Sequence, residues 1–254
     1  MANACKTKIK YATSPHTKKI TAPASWDAFP CGEYYRAALE RQLQAWWGKL
    51  YGFHLLKIGN LSAELDTSGC PISHQVNVAE RGENLHVQGS QYQLPFAHKS
   101  VDACLLAHTL AYAEDPHRTL REVDRVLIDD GWLVLSSFNP LSLVGIAKLV
   151  PLVRKRQPYV SQMFTQTRLL DWLGLLNYEV MMKSRFQVLP WCAKGGKTLS
   201  THLPALGCMT VMVARKRTLP LTPSAKKVPA RRQAIPQAVG ASSKSYRKDH
   251  QSED

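Results

Sequence analysis

Between residues 33 and 50 the apolar positions Tyr35, Leu39, Leu43, Trp46 and Leu50 recur at steps of four, four, three and four, which puts them on one face of a helix. Gly52 is expected to end that helix. The other face mixes signs (Arg36, Glu40, Arg41), so the Trp-bearing stripe is expected to dock on a sheet; a helix lying on a membrane surface is the alternative. Short apolar runs separated by turn residues follow at 53–58, 75–78, 85–88, 101–107 and 132–137, and each predicts a strand.

Residues 115–127 set Leu120, Val123 and Leu127 on one side, with Arg118, Arg121, Glu122 and Arg125 around them, and Asp115-Pro116 is a good helix start. Asp129-Asp130-Gly131 then predicts a tight turn into the strand at Trp132. Strand, helix, turn and strand in that order make a parallel crossover unit, and repeated units build a doubly wound sheet. Beyond Pro140 come an apolar, helix-like segment at 141–153, a basic loop (Arg154, Lys155, Arg156), a helix at 167–176, and strands at 179–189 and 209–215. No clear helix separates the last two strands, which predicts an antiparallel hairpin. The expected fold is α/β: a doubly wound, mostly parallel sheet with an antiparallel C-terminal hairpin and no internal repeat.

Charge changes the picture only at the ends. The chain has 254 residues and a formal net charge of +14. Residues 1–24 carry five lysines (Lys6, Lys8, Lys10, Lys18, Lys19) and no acid, and residues 215–254 carry ten basic residues against Asp249, Glu253 and Asp254. The ends thus supply twelve of the fourteen charges, so composition does not make the central part a basic nucleic-acid binder. We divide the chain into a basic, disordered N-terminal tail (1–24), one domain (25–218) and a basic, disordered C-terminal tail (219–254), since neither tail has the apolar content to offset its ordering entropy. Non-specific, salt-sensitive contact of the tails with nucleic acid stands beside a purely solubilising role. Six scattered cysteines without a CxxC pair fit reduced thiols, and no segment reads as an export signal or a membrane span. A cytoplasmic protein is expected.

The order of motifs from 85 to 139 resembles that of the class I S-adenosylmethionine-dependent methyltransferases. It stands here as Val87-Gln88-Gly89-Ser90, Leu94-Pro95-Phe96, Ser100-Val101-Asp102, Leu120-Arg121-Glu122-Val123-Asp124-Arg125-Val126-Leu127, Gly131 and the strand from Trp132. Tyr51-Gly52-Phe53-His54-Leu55-Leu56-Lys57-Ile58-Gly59, Asp115-Pro116-His117, Phe138-Asn139-Pro140-Leu141-Ser142, Arg168-Leu169-Leu170-Asp171-Trp172-Leu173 and Val213-Ala214-Arg215-Lys216-Arg217 narrow the likeness to a bacterial branch of the YafS type, covering residues 26–223.

The resemblance implies the Rossmann-like methyltransferase fold, S-adenosylmethionine as cofactor, an unknown methyl acceptor and no metal. It places Gly59 and Asn60 at the start of the glycine-rich loop. Asn77 or Val78 falls where an acid usually holds the ribose hydroxyls, and Ser90 with Gln91 where an Asp usually meets the adenine amine. His108, at the end of the fourth strand, is expected to face the transferred methyl group; a proton acceptor and a structural, hydrogen-bonded histidine are both open for it.

The departures from the family pattern are specific. The loop reads Gly59-Asn60-Leu61-Ser62-Ala63 where active members carry a G-x-G-x-G-like run, and both acidic anchors are neutral. If each lost charge-assisted hydrogen bond costs roughly 1.5–3 kcal/mol, two losses weaken cofactor binding by about 10² to 10⁴. Glu64, Asp66 and Glu80 are the nearby carboxylates that could substitute. The helix that usually joins the second and third strands is absent. An enzyme, and a methyltransferase-fold binding protein that engages RNA or a protein through its surface or tails, are therefore the two functional expectations.

Three further motifs carry less. Asn139-Pro140 echoes the Asn-Pro-Pro-aromatic motif of amino-group methyltransferases but lacks the second proline and follows the fifth strand. Cys70 and His74 are half a zinc spacing without a matching pair. Gly195-Gly196-Lys197-Thr198 lacks the spacing of a phosphate loop.

Overall fold

A computed structural model describes residues 21–148, 156–186 and 207–218. All described elements belong to one unit that ends at Thr218. Residues 1–20 of the expected N-terminal tail, all of 219–254, and the Gly195–Thr198 motif (195–198) lie outside the described residues.

The Ser25 hydroxyl accepts the Asp27 amide and opens a single 3-10 turn, Trp26–Ala28. Helix α1 (Gly32–Trp47) follows and buries Tyr35, Leu39, Leu43 and Trp47. The stripe therefore docks on the sheet, but its fourth member is Trp47 rather than Trp46. The loop through Gly69 and Cys70 closes over the Trp47 ring, whereas Trp46 is only partly buried and carries the Lys49 ammonium 4.3 Å above its ring. Gly48, not Gly52, is the C-cap.

The strands are β1 (His54–Ile58), β2 (His74–Ala79), β3 (Val87–Gln88), β4 (Val101–Ala107), β5 (Leu127–Phe138), β6 (Tyr178–Phe186) and β7 (Met209–Lys216). They form one sheet in the order β3-β2-β1-β4-β5-β7-β6. The first five are parallel, and β7 lies antiparallel between β5 and β6. The expected doubly wound sheet with its antiparallel hairpin is the observed one. Of the predicted strand at 179–189, residues 187–189 lie outside the described residues.

One apolar layer joins α1 to Leu55, Ala103, Leu105 and Val134. The other covers Leu56, Cys104, Leu106 and Leu133 with helices α4 (Pro116–Val126) and α6 (Gln166–Leu175). Three short helices, α2 (Asn60–Ala63), α3 (Thr109–Tyr112) and α5 (Leu143–Ala147), complete the described elements; the rest of the predicted helix at 141–153, from 149 on, lies outside them. No helix among the described residues is long and apolar enough to cross a membrane.

One difference has a local cause. The turn expected at 129–131 is absorbed into β5 as a bulge. Val101 pairs with Leu127 and Ala103 next with Trp132, while Asp130 takes a left-handed φ of 62°. Arg215, Lys216 and Arg217, at the end of the expected domain, pair with Asp130, Asp124 and Glu179, so these three basic residues are matched by acids. As expected, a loop rather than a helix joins β2 to β3.

The Leu-Arg-Glu-x-x-Arg segment has a mechanical role. Glu122 accepts the Leu94 amide at 2.7 Å, and Arg125 donates to the carbonyls of Leu94 (3.1 Å) and Phe96 (3.0 Å) and to Glu122 itself. Helix α4 thus clasps the Leu94-Pro95-Phe96 turn, and the Arg125 guanidinium holds the Glu122 carboxyl below its ordinary range.

Candidate active site

Strand neighbours part between β1 and β4: β2 and β3 lie on one side of that boundary and β5 on the other. In an open α/β sheet a crevice forms at that point beyond the carboxyl ends of the strands. Its floor is tied together by hydroxyls. Ser62 Oγ and Thr109 Oγ1 both donate to the Ile58 carbonyl at 2.6 Å, and Ser62 Oγ also accepts the Ala107 amide at 2.7 Å. The end of β1 is thereby fastened to the end of β4.

Gly59 leaves β1 with φ 91°, and a β-carbon there would come 3.0 Å from Thr109 Oγ1. Only glycine adopts this turn freely, so the backbone is open toward the crevice. Gly82, in the loop after β2, has φ 150° and would press a β-carbon to 2.6 Å from Asn60 Oδ1. These two glycines let the β1 and β2 loops approach one another across a cleft of about 530 Å³. A small cofactor fits such a volume.

Of the residues predicted from sequence, Gly59, Asn60, Val78 and Gln91 line this cleft. Asn77 does not; its side chain donates to the Asn84 carbonyl at 3.0 Å on the outer margin of β2. Ser90 does not line it either, but donates to Glu80 at 2.9 Å. Strand β2 runs through Ala79, so the residue that enters the cleft as the strand ends is Glu80, two or three positions beyond the predicted anchor. Among the three candidate carboxylates only Glu80 lines the cleft. Glu64 accepts Ser25 Oγ and the Trp26 amide, and Asp66 caps the Ser68 amide.

The placement of His108 differs from expectation. It is fully buried with a left-handed φ of 54°, its ring stacked on Phe138 (4.2 Å) with the Trp26 edge 5.5 Å away. Neither ring nitrogen has a hydrogen-bond partner among the described residues, and burial pushes its pKa down to about 3. Its neighbours Ala107 and Thr109 line the cleft; His108 itself turns away beneath Trp26. Asn139 is a structural cap: its Oδ1 accepts the Leu141 amide and its Nδ2 donates to the Gly207 carbonyl.

Other lining residues carried no sequence signal. Residues 21–24, placed by composition in the N-terminal tail, form one wall, because buried Trp26 anchors the chain through Nε1 to the Leu61 carbonyl at 3.0 Å. Asn60 Nδ2 reaches the Pro23 carbonyl at 3.4 Å, while its buried Oδ1 has no partner among the described residues. Tyr92 and Tyr112 also line the cleft. The Tyr92 hydroxyl accepts the Glu114 amide, and the Tyr112 hydroxyl donates to Gln157 at 2.8 Å. No cluster of three or more His, Cys, Asp or Glu suited to a metal occurs among the described residues.

A family profile described as a methyltransferase domain matches residues 56–135, from β1 to β5. The uncharacterized protein YafS of Escherichia coli is 59% identical over 92% of this chain and 96% of its own length. Among solved structures, a S-adenosylmethionine-dependent methyltransferase of Thermotoga maritima, described as a possible histamine N-methyltransferase, aligns with a TM-score of 0.53 at 18% identity, covering 73% of this chain and 95% of its own. The geranyl diphosphate C-methyltransferase of Streptomyces coelicolor, solved with S-adenosyl-L-homocysteine, aligns with a TM-score of 0.50 at 13% identity, covering 72% and 77%. With the strand order, the motif order and the YafS relative in agreement, the chain belongs to the class I methyltransferase family, in the branch that contains YafS.

Proposed function

We propose that the chain is a S-adenosylmethionine-dependent methyltransferase that binds its cofactor in the cleft between the β1 and β2 loops and transfers the methyl group to an unidentified acceptor. The observation that carries this reading is that Glu80, at the end of β2, and the open backbone of Gly59, at the end of β1, line one cleft.

The donor set fits the cofactor. Glu80 supplies a carboxylate for the ribose hydroxyls, and Gln91 with Tyr92 supplies an amide and a ring face for the base. The backbone at Gly59 and Asn60 would meet the amino-acid part, and Asn60 Oδ1, without a partner among the described residues, would suit its ammonium group. With Glu80 in place, the binding loss expected from two neutral anchors falls to that of one. When bound, S-adenosylmethionine supplies a methyl group already activated on a sulfonium. The protein's own task is then to bind, orient and exclude water. In this reading His108 helps shape the end of β4 behind Trp26 and takes no proton.

Isothermal calorimetry with S-adenosylmethionine and S-adenosylhomocysteine tests the reading. Saturable binding is expected, abolished in Gly59→Trp and weakened about 10- to 10²-fold in Glu80→Gln. No heat up to millimolar ligand, or binding indifferent to both substitutions, refutes it.

A further inference from the structure

His54 and His74 open β1 and β2 at the amino edge of the sheet, the edge opposite the cleft, and pair directly in the parallel register. Both are exposed. Their Nδ1 atoms are 2.9 Å apart, with ring centroids at 4.9 Å and ring planes 88° apart. The backbones beneath them are held: Asp102 Oδ2 accepts the amides of Phe53 (3.0 Å) and His54 (2.9 Å), and the β1–β2 ladder runs from this pair through Ile58 and Val78.

The nitrogen separation is compatible with two ligands on one metal ion. Two imidazole nitrogens each about 2.05 Å from one metal ion are about 2.9 Å apart at a right angle and about 3.3 Å apart at the tetrahedral angle. At 2.9 Å the two nitrogens share a hydrogen bond in the metal-free protein, and once the shared proton moves to the far ring nitrogen the same spacing suits a right-angle pair of ligands, which square-planar or octahedral copper and nickel accept. We propose that His54 and His74 form a two-histidine site for a divalent transition-metal ion of the copper or nickel type, on the face of the sheet edge away from the cleft.

Sequence spacing paired His74 with Cys70, but Cys70 is buried while His74 meets His54, a partner twenty residues away. No third His, Cys, Asp or Glu completes a cluster among the described residues, so water fills the remaining positions and the affinity is modest. Bound metal clamps the starts of the two strands whose other ends deliver Gly59 and Glu80 to the cleft.

Titration of the full-length protein with Ni2+ alone, a probe that does not oxidise thiols, tests the site by calorimetry. Cu2+ electron paramagnetic resonance counts the nitrogen ligands. Wild type is expected to bind one Ni2+ at this site, His54→Ala and His74→Ala to weaken it roughly ten-fold or more, and His98→Ala, an exposed histidine elsewhere, to leave it unchanged. Ni2+ should also raise the Tm of wild type and His98→Ala but of neither site variant. Equal affinity in wild type and His74→Ala, or a copper spectrum with a single nitrogen, overturns the proposal and leaves the two rings as a simple hydrogen-bonded pair. Because the site lies at the opposite edge, this result is independent of whether the cleft binds S-adenosylmethionine.

Discussion

Replacing Arg125 by Ala removes the centre of the clasp that α4 places on the Leu94-Pro95-Phe96 turn. Two carbonyls, Leu94 and Phe96, and the Glu122 carboxylate lose a charged donor at 2.8–3.1 Å. A hydrogen bond to a charged group contributes about 1.5–3 kcal/mol, but three bonds from one guanidinium do not add. The Arg125 side chain is also 36% exposed, against 14% for Glu122, so water replaces part of what is lost. A destabilisation of about 2–3 kcal/mol follows, which for a domain of this size lowers Tm by roughly 4–12 °C.

Urea unfolding followed by circular dichroism measures it, with Arg121→Ala as control. Arg121 is exposed, and its side chain makes only a 3.4 Å contact to the His117 carbonyl of its own helix among the described residues, so its change is expected within about 0.5 kcal/mol. A second arm follows pH. Glu122 has a lowered pKa in the folded state, so its contribution is present above the unfolded carboxylate value and fades as pH falls through the folded one. The stability gap between wild type and Glu122→Gln should therefore be full at neutral pH and narrow below about pH 4. If Arg125→Ala and Arg121→Ala cost the same, or if the Glu122 gap ignores pH, the clasp does not hold the turn. Because Gln91 and Tyr92 lie just before this turn in the cleft wall, Arg125→Ala is also expected to weaken cofactor binding.

Ser62→Ala breaks the fastening between β1 and β4, leaving the buried Ala107 amide without its acceptor; a loss of about 1–3 kcal/mol in urea unfolding and weaker binding of S-adenosylhomocysteine are expected, and an unchanged protein would sink the role given to that hydroxyl. His108 is buried neutral, with a pKa pushed from 6.5 to about 3, so the unfolded chain takes up a proton that the folded one refuses as pH falls. Between pH 7 and pH 5 the wild type should lose about 2 kcal/mol that His108→Phe keeps. The readout is the difference in pH slope, since the left-handed backbone at 108 alters the absolute stability of the variant as well. Parallel slopes would mean that the ring reaches water.

Periodicity within single elements was enough to find the seven strands, the docking face of α1 and the antiparallel hairpin, because a buried face repeats its apolar positions at the local period of helix or strand. The motif order was enough for the family, because glycine turns, the Asp115-Pro116 start and the Glu122/Arg125 pair each do a local job whose residue types are restricted. The cleft belongs to a different level. Its walls come from loops far apart in sequence, so a shift of three residues around the end of β2 exchanges Asn77 for Glu80. A single anchor, Trp26, turns residues 21–24 from apparent tail into wall, and covers His108. Tertiary contact likewise chose Trp47 over Trp46 and set His54 beside His74, since strand register and loop closure, not spacing along the chain, decide which side chains meet.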